Sequence, residues 1–119
     1  MPVTVSGGAR LGGTTPIKEG NLDADGSEQT LVEYAGLGKV SGYVDLSEMQ
    51  GGDAIEVREY GVAVVGGAYA LHASEQYGGV QALSLLHISP KPSYLSVKVT
   101  LRQFAGVFRS FPNSFTLDS

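Results

Sequence analysis

Tyr94–Leu117 reads YLSVKVTLRQFAGVFRSFPNSFTL. Leu95, Val97, Val99 and Leu101 alternate with Ser96, Lys98, Thr100 and Arg102, the period-two pattern of a strand with one buried and one wetted face. The pattern assigns Val97, Val99 and Leu101 to a core and Lys98 and Arg102 to the outside. It then meets Phe104-Ala105-Gly106 and restarts over Val107–Phe111, which predicts a hairpin closed around Gly106 and a central strand pair. Phe104, Phe108, Phe111 and Phe115 also fall at helical spacing, but Gly106 and Pro112 interrupt that window, so strand is the better assignment.

Strand patterning continues on the N-terminal side. Gln29–Tyr34 follows the polar turn Asn21–Glu28. In Gly38–Leu46, Val40, Gly42, Val44 and Leu46 share one face. Asp45–Gln50 reads as one helical turn capped by Asp45 or Ser47, before Gly51-Gly52-Asp53 turns the chain. Ile55 and Val57 alternate with Glu56 and Arg58, and Glu56, Arg58 and Glu59 read as a solvated charged face. Val62–Val65 and Ala68–Leu71 flank Gly66-Gly67 as a two-residue hairpin. Leu83–Ile88 is a nearly continuous apolar run, expected of a strand buried on both faces. Ser89-Pro90-Lys91-Pro92-Ser93 is expected to end it, because proline cannot donate to a ladder. About eight short strands at this spacing predict an all-β fold: an antiparallel β-sandwich of jelly-roll type.

Residues 1–20 differ from the rest. Val3 and Val5 suit a brief strand, but five glycines within residues 1–20 and the Thr14-Thr15-Pro16 step leave little to bury. The expected organisation is an extended Gly-rich arm over 1–20 and a sandwich domain over 21–119. Val3, Val5, Leu11 and Ile17 are the arm's candidate assembly contacts, with residues 2–18 expected to leave the domain and lie along another subunit or the surface being decorated.

A chain of 119 residues suits one domain with a real core. It has no cysteine, which removes disulfides and thiolate zinc sites. The net charge of −4 argues against a nucleic-acid partner, which needs clustered Lys and Arg. Ten of the 12 acids lie in residues 1–60, an imbalance that helps subunits dock. No apolar run approaches the roughly 20 residues of a membrane span. No signal-like stretch opens the sequence, so the expectation is a soluble chain that stays in the cell or leaves it by lysis.

Candidate chemistry is sparse. Asn21-x-Asp23-x-Asp25-Gly26 copies the opening of an EF-hand calcium loop, but position twelve, which needs a bidentate Glu, is Val32. An acidic turn capping its own backbone accounts for these residues without metal. His72 and His87 lie in strand-like runs with no second ligand at metal spacing, although Glu75 is three residues past His72. They and the Asp23/Asp25 pair are expected not to share a pocket. No serine sits in a nucleophile motif, and Gly36-Leu37-Gly38-Lys39 lacks phosphate-loop spacing. These residues predict no enzyme, no cofactor, no metal and no small-molecule substrate.

Three stretches carry a resemblance: Ala24–Leu31 (ADGSEQTL), Gly42–Met49 (GYVDLSEM) running on to Gly52-Asp53, and Val97–Gln103 (VKVTLRQ). Across roughly residues 21–111 the chain resembles small β-sandwich virion proteins of tailed viruses of prokaryotes, of the kind that decorate or cement capsids. The resemblance implies a structural protein of the virion, made in the host cytoplasm. Its implied partners are copies of itself or a major capsid protein, with no nucleic acid and no membrane. The alternatives are a tail or spike subunit, or a carbohydrate-binding sandwich using Tyr43, Tyr60 and Tyr69, which would have to stack sugars without tryptophan.

Overall fold

The structure, a computed structural model, describes residues 13–118. Those residues form eight strands: β1 (Thr14–Asp23), β2 (Gln29–Ala35), β3 (Gly38–Asp45), β4 (Ala54–Gly61), β5 (Ala70–Gly78), β6 (Leu85–Ser93), β7 (Ser96–Ala105) and β8 (Ser110–Asp118). They make two four-stranded antiparallel sheets ordered β1-β8-β3-β6 and β2-β7-β4-β5. Pairings β1–β8, β2–β7, β3–β6 and β4–β5 nest inside one another, as in a single long hairpin with the β4–β5 connection at its tip. Rolling that hairpin so that successive rungs alternate between sheets gives the jelly roll.

The alternation in β7 sets the packing. Val99 and Leu101 are buried to 1% and 0% exposure, and Val97 is buried with them; Lys98 is half-buried and Arg102 exposed. Val40, Val44, Ile55, Phe111 and Phe115 supply fully buried side chains from both sheets. Gly42 lies between them because a Cβ there would sit 2.3 Å from the Ser114 carbonyl oxygen and 2.4 Å from the Phe115 ring. Phe111 and Phe115 alternate inward along β8, whereas Phe104 and Phe108 are exposed, as strand rather than helix geometry demands.

Several expectations are corrected. The Gly106 turn does not close a hairpin: β7 and β8 belong to different sheets, and residues 106–109 cross between them. Patterning marks both segments as half-buried strands but does not say in which sheet each lies. Gly66-Gly67 lies within a longer connection, with β4 ending at Gly61 and β5 starting at Ala70; the Gly67 N–H donates to the Val64 carbonyl at 2.9 Å. β6 is an edge strand with Leu85 exposed, and it continues through Pro90 and Pro92 to Ser93. An edge tolerates proline because its outer N–H positions need no partner. The Asp45–Gln50 helical turn is an irregular turn, in which Asp45 Oδ1 accepts from the Ser47 N–H at 2.8 Å and the Met49 N–H donates to the Leu46 carbonyl at 3.1 Å.

The arm boundary also moves. Thr14–Gly20 pair with β8 as part of β1, and Ile17 packs against the chain's own core. Expected assembly contacts Val3, Val5 and Leu11 lie outside the described residues.

Candidate interaction surface

The jelly roll gathers its loops at two ends. At one end the Ala24 N–H donates to the Arg109 carbonyl (3.0 Å), the Leu46 N–H to the Ser84 carbonyl (2.6 Å) and the Gly79 N–H to the Asp53 carbonyl (2.8 Å), tying four loops together. Asp53 is the hub of this end. Its Oδ2 accepts from the Gln50 N–H at 2.8 Å and Arg109 Nε at 2.7 Å, and its Oδ1 from the Val107 N–H at 3.0 Å. The Gln50 amide first, and then Arg109, holds this carboxyl below the usual carboxylate range. Gln103, fully buried, donates to the Ala105 and Val107 carbonyls and accepts from the Arg109 N–H at 2.9 Å. Val80, Leu83, Val107 and Phe108 project from this braced end, each more than half exposed. Sequence reasoning missed the hub; its one signal is that Gln103 continues the inward series Val97, Val99, Leu101.

The acidic turn lies at the same end. Asp23 Oδ1 accepts from Asn21 Nδ2 at 3.2 Å and from the Ser110 hydroxyl. Asp25 Oδ1 caps its own turn, taking the Ser27 hydroxyl at 2.6 Å and the Ser27 N–H at 2.9 Å, and the hydroxyl chiefly lowers its pKa. Asn21, Asp23 and Asp25 thus bond within the turn and to β8. Among the described residues no group of three or more His, Asp or Glu stands close enough to hold a metal ion.

The outer face of the β2-β7-β4-β5 sheet is a polar network centred on Glu28. Its carboxylate accepts from Thr100 at 2.6 Å and from the Tyr60 hydroxyl, and Arg58 lies 3.5 Å away; Thr100, then Tyr60, lowers its pKa. Lys98 Nζ sits over the Tyr60 and Tyr69 rings at 5.0 and 4.7 Å. Tyr43 stands on the other sheet, tilted against His87 at 4.9 Å. The three tyrosines therefore form no common platform, and two of them already cover a cation. Glu59 leaves the expected charged face: it points between the sheets and pairs with Lys91 at 2.7 Å.

The third surface is the open side of the sandwich, between β5 and β6. A cavity of about 280 Å³ there is lined by Val57, Glu59, Glu75 and Lys91 and, against expectation, by both His72 and His87. Both histidines border this cavity because β5 and β6 are the facing edges of the two sheets, an adjacency invisible to sequence spacing, although the His87 ring itself packs on Tyr43. Asp23 and Asp25 are remote from it, at the braced end. An adjoining cavity of about 480 Å³ is more apolar, walled by Val62, Ala70, Leu71, Pro90, Pro92 and Val97.

The four edges differ in protection. β6 carries Pro90 and Pro92, β1 carries Pro16 and a bulge after it, and β2 is short and bulged. β5 is nine residues long, has no proline and is exposed at seven positions. Its bulge at His72 lies near one end, leaving Ala73–Gly78 in regular register with β4. Long unprotected edges pair readily with another strand.

Together these features define a small jelly-roll domain with one braced apolar end and one unprotected edge beside an apolar groove. Its fold is similar to VP2 of infectious bursal disease virus as found in a subviral particle, with a TM-score of 0.53 at 14% identity. That match covers 91% of this chain and 32% of the VP2 chain, so the chain spans about a third of that protein's length. A second match, to PirA, covers 97% of this chain and 99% of PirA at a TM-score of 0.38 and 8% identity, too low to define a shared fold. No protein-family model and no curated protein matches the chain. No helix among the described residues is long and apolar enough to cross a membrane.

Proposed function

We propose that this chain is a non-enzymatic structural protein of a virus particle, decorating or cementing the shell through contacts with copies of itself or with a major capsid protein. The observation that carries this reading is the jelly-roll strand order, with its likeness to VP2 of a subviral particle over nine-tenths of the chain. The molecular surface supports it. Exposed apolar side chains on braced loops and a free strand edge are liabilities in a solitary monomer and contacts in an assembly. The resemblance of residues 21–111 to virion decoration proteins points the same way.

Native mass measurement of the full chain, followed by co-sedimentation with particles from the virus that encodes it, tests the reading. A closed oligomer or a particle-bound subunit is the expected result. A monomer that ignores particles and is retained on immobilised oligosaccharides would replace it with a binding module.

A further inference from the structure

We propose that Pro2–Ser6 of a second copy docks along the open side of the sandwich, adding as a strand to the β5 edge with Val3 and Val5 in the groove between β5 and β6. This deepens the assembly reading and rests on it. β5 supplies the backbone: among the described residues its outer edge is unpaired, and the strand is proline-free. The groove supplies the side-chain pocket, about 480 Å³ beside Ala70–His72 of β5, walled mainly by apolar residues with His72 and Lys91 at its border. An added strand must present alternate apolar residues to that pocket and polar ones to water. Val3-Thr4-Val5-Ser6 has this pattern, and it lies in the 12 residues that precede Gly13.

Charge favours the match. Residues 1–12 contain one base, Arg10, and no acid, whereas residues 13–119 hold 12 acids and the other 7 bases, a net of −5. In the adjoining cavity Lys91 is paired with Glu59, which leaves Glu75 as the acid facing an incoming base.

Geometry assigns the segment to a neighbour rather than to its own domain. Thr14 starts β1 in the lateral row Thr14–Asp118–Lys39–Pro92, three strand spacings from β6, or about 14 Å. Reaching the outer edge of β5 adds a fourth spacing and the roughly 10 Å between sheets, about 21 Å in all. Gly7–Gly13 spans at most about 23–25 Å when fully taut, which leaves no slack to round the end of the sandwich. A neighbouring groove imposes no such constraint.

The absence of native cysteine allows a clean test in the full chain. Val5→Cys chains with one affinity tag are mixed with Ala70→Cys chains carrying another and oxidised mildly. The expected product is a covalent dimer bearing both tags, at least about tenfold above a Val5→Cys and Ser47→Cys mixture, Ser47 being at the opposite end. No enrichment over that control overturns the proposal. So does a Val5→Cys/Ala70→Cys double variant that forms only an intrachain disulfide. Val3→Asp/Val5→Asp should leave the circular dichroism spectrum unchanged and lower the native mass. An oligomer without the mixed dimer sinks the docking mode alone, while a wild-type monomer that ignores particles sinks the assembly reading itself.

Discussion

Gly106 shows how one position fixes the crossover between sheets. Its φ is +86°, and a Cβ would lie 2.0 Å from Asp53 Oδ1 and 2.6 Å from the Asp53 Cα. Gly106→Ala combines a left-handed backbone with a clash against a buried hub, and is expected to cost about 2–4 kcal/mol in urea unfolding. Val99→Ala truncates a side chain at 1% exposure and is expected to cost about 1–3 kcal/mol by the same measurement. Asp53 has a pH signature. Its folded pKa is lowered, so its contribution is present above the unfolded carboxylate range and is lost as pH falls through the folded value. Asp53→Asn removes the linkage and the ion pair with Arg109. Its melting temperature should be lower at pH 7, and should fall less than that of the wild type between about pH 5 and pH 1.

Among the elements, edge strands distinguish a soluble monomer from an assembling one. Among the described residues β6 pairs only with β3, and Pro90 and Pro92 withhold two donors from anything approaching its other side. Pro90→Thr/Pro92→Thr restores those donors on a strand that already exposes Leu85. The double variant is expected to self-associate at concentrations where the wild type gives stable light scattering, with little change in unfolding midpoint. A soluble variant of unchanged mass would show that the prolines do not guard this edge. Strand positions were largely legible, because Val40, Val44, Val99 and Leu101 announce buried faces by alternation. The roles of Pro90 and Pro92 were not: whether proline ends a strand or blunts an edge depends on which neighbours exist.

The whole molecule is a nest of antiparallel pairs in which only β4–β5 is local; β3–β6, β2–β7 and β1–β8 each close a longer loop. Loop closure must precede the contacts that reward it, so refolding is expected on the order of milliseconds to seconds. The shortest closure is the natural nucleus. Val57→Ala in β4 should therefore slow folding, while Leu22→Ala in β1 should mainly speed unfolding, as read from the two arms of a denaturant chevron. The reverse assignment would place the nucleus at the chain ends.

Period-two patterning by itself determined that the chain is all-β and which faces of β3, β4 and β7 are buried. Those properties are local, since adjacent side chains on a strand point to opposite sides. The tertiary structure alone decided that β7 and β8 lie in different sheets, that Thr14–Gly20 belong to the domain, and that His72 and His87 line one cavity. It also decided that Asp53 and Arg109, 56 residues apart, brace one loop end. Pairing partners and sheet membership are set by long-range closure, and alternation of side chains along one strand carries no record of which strand lies beside it.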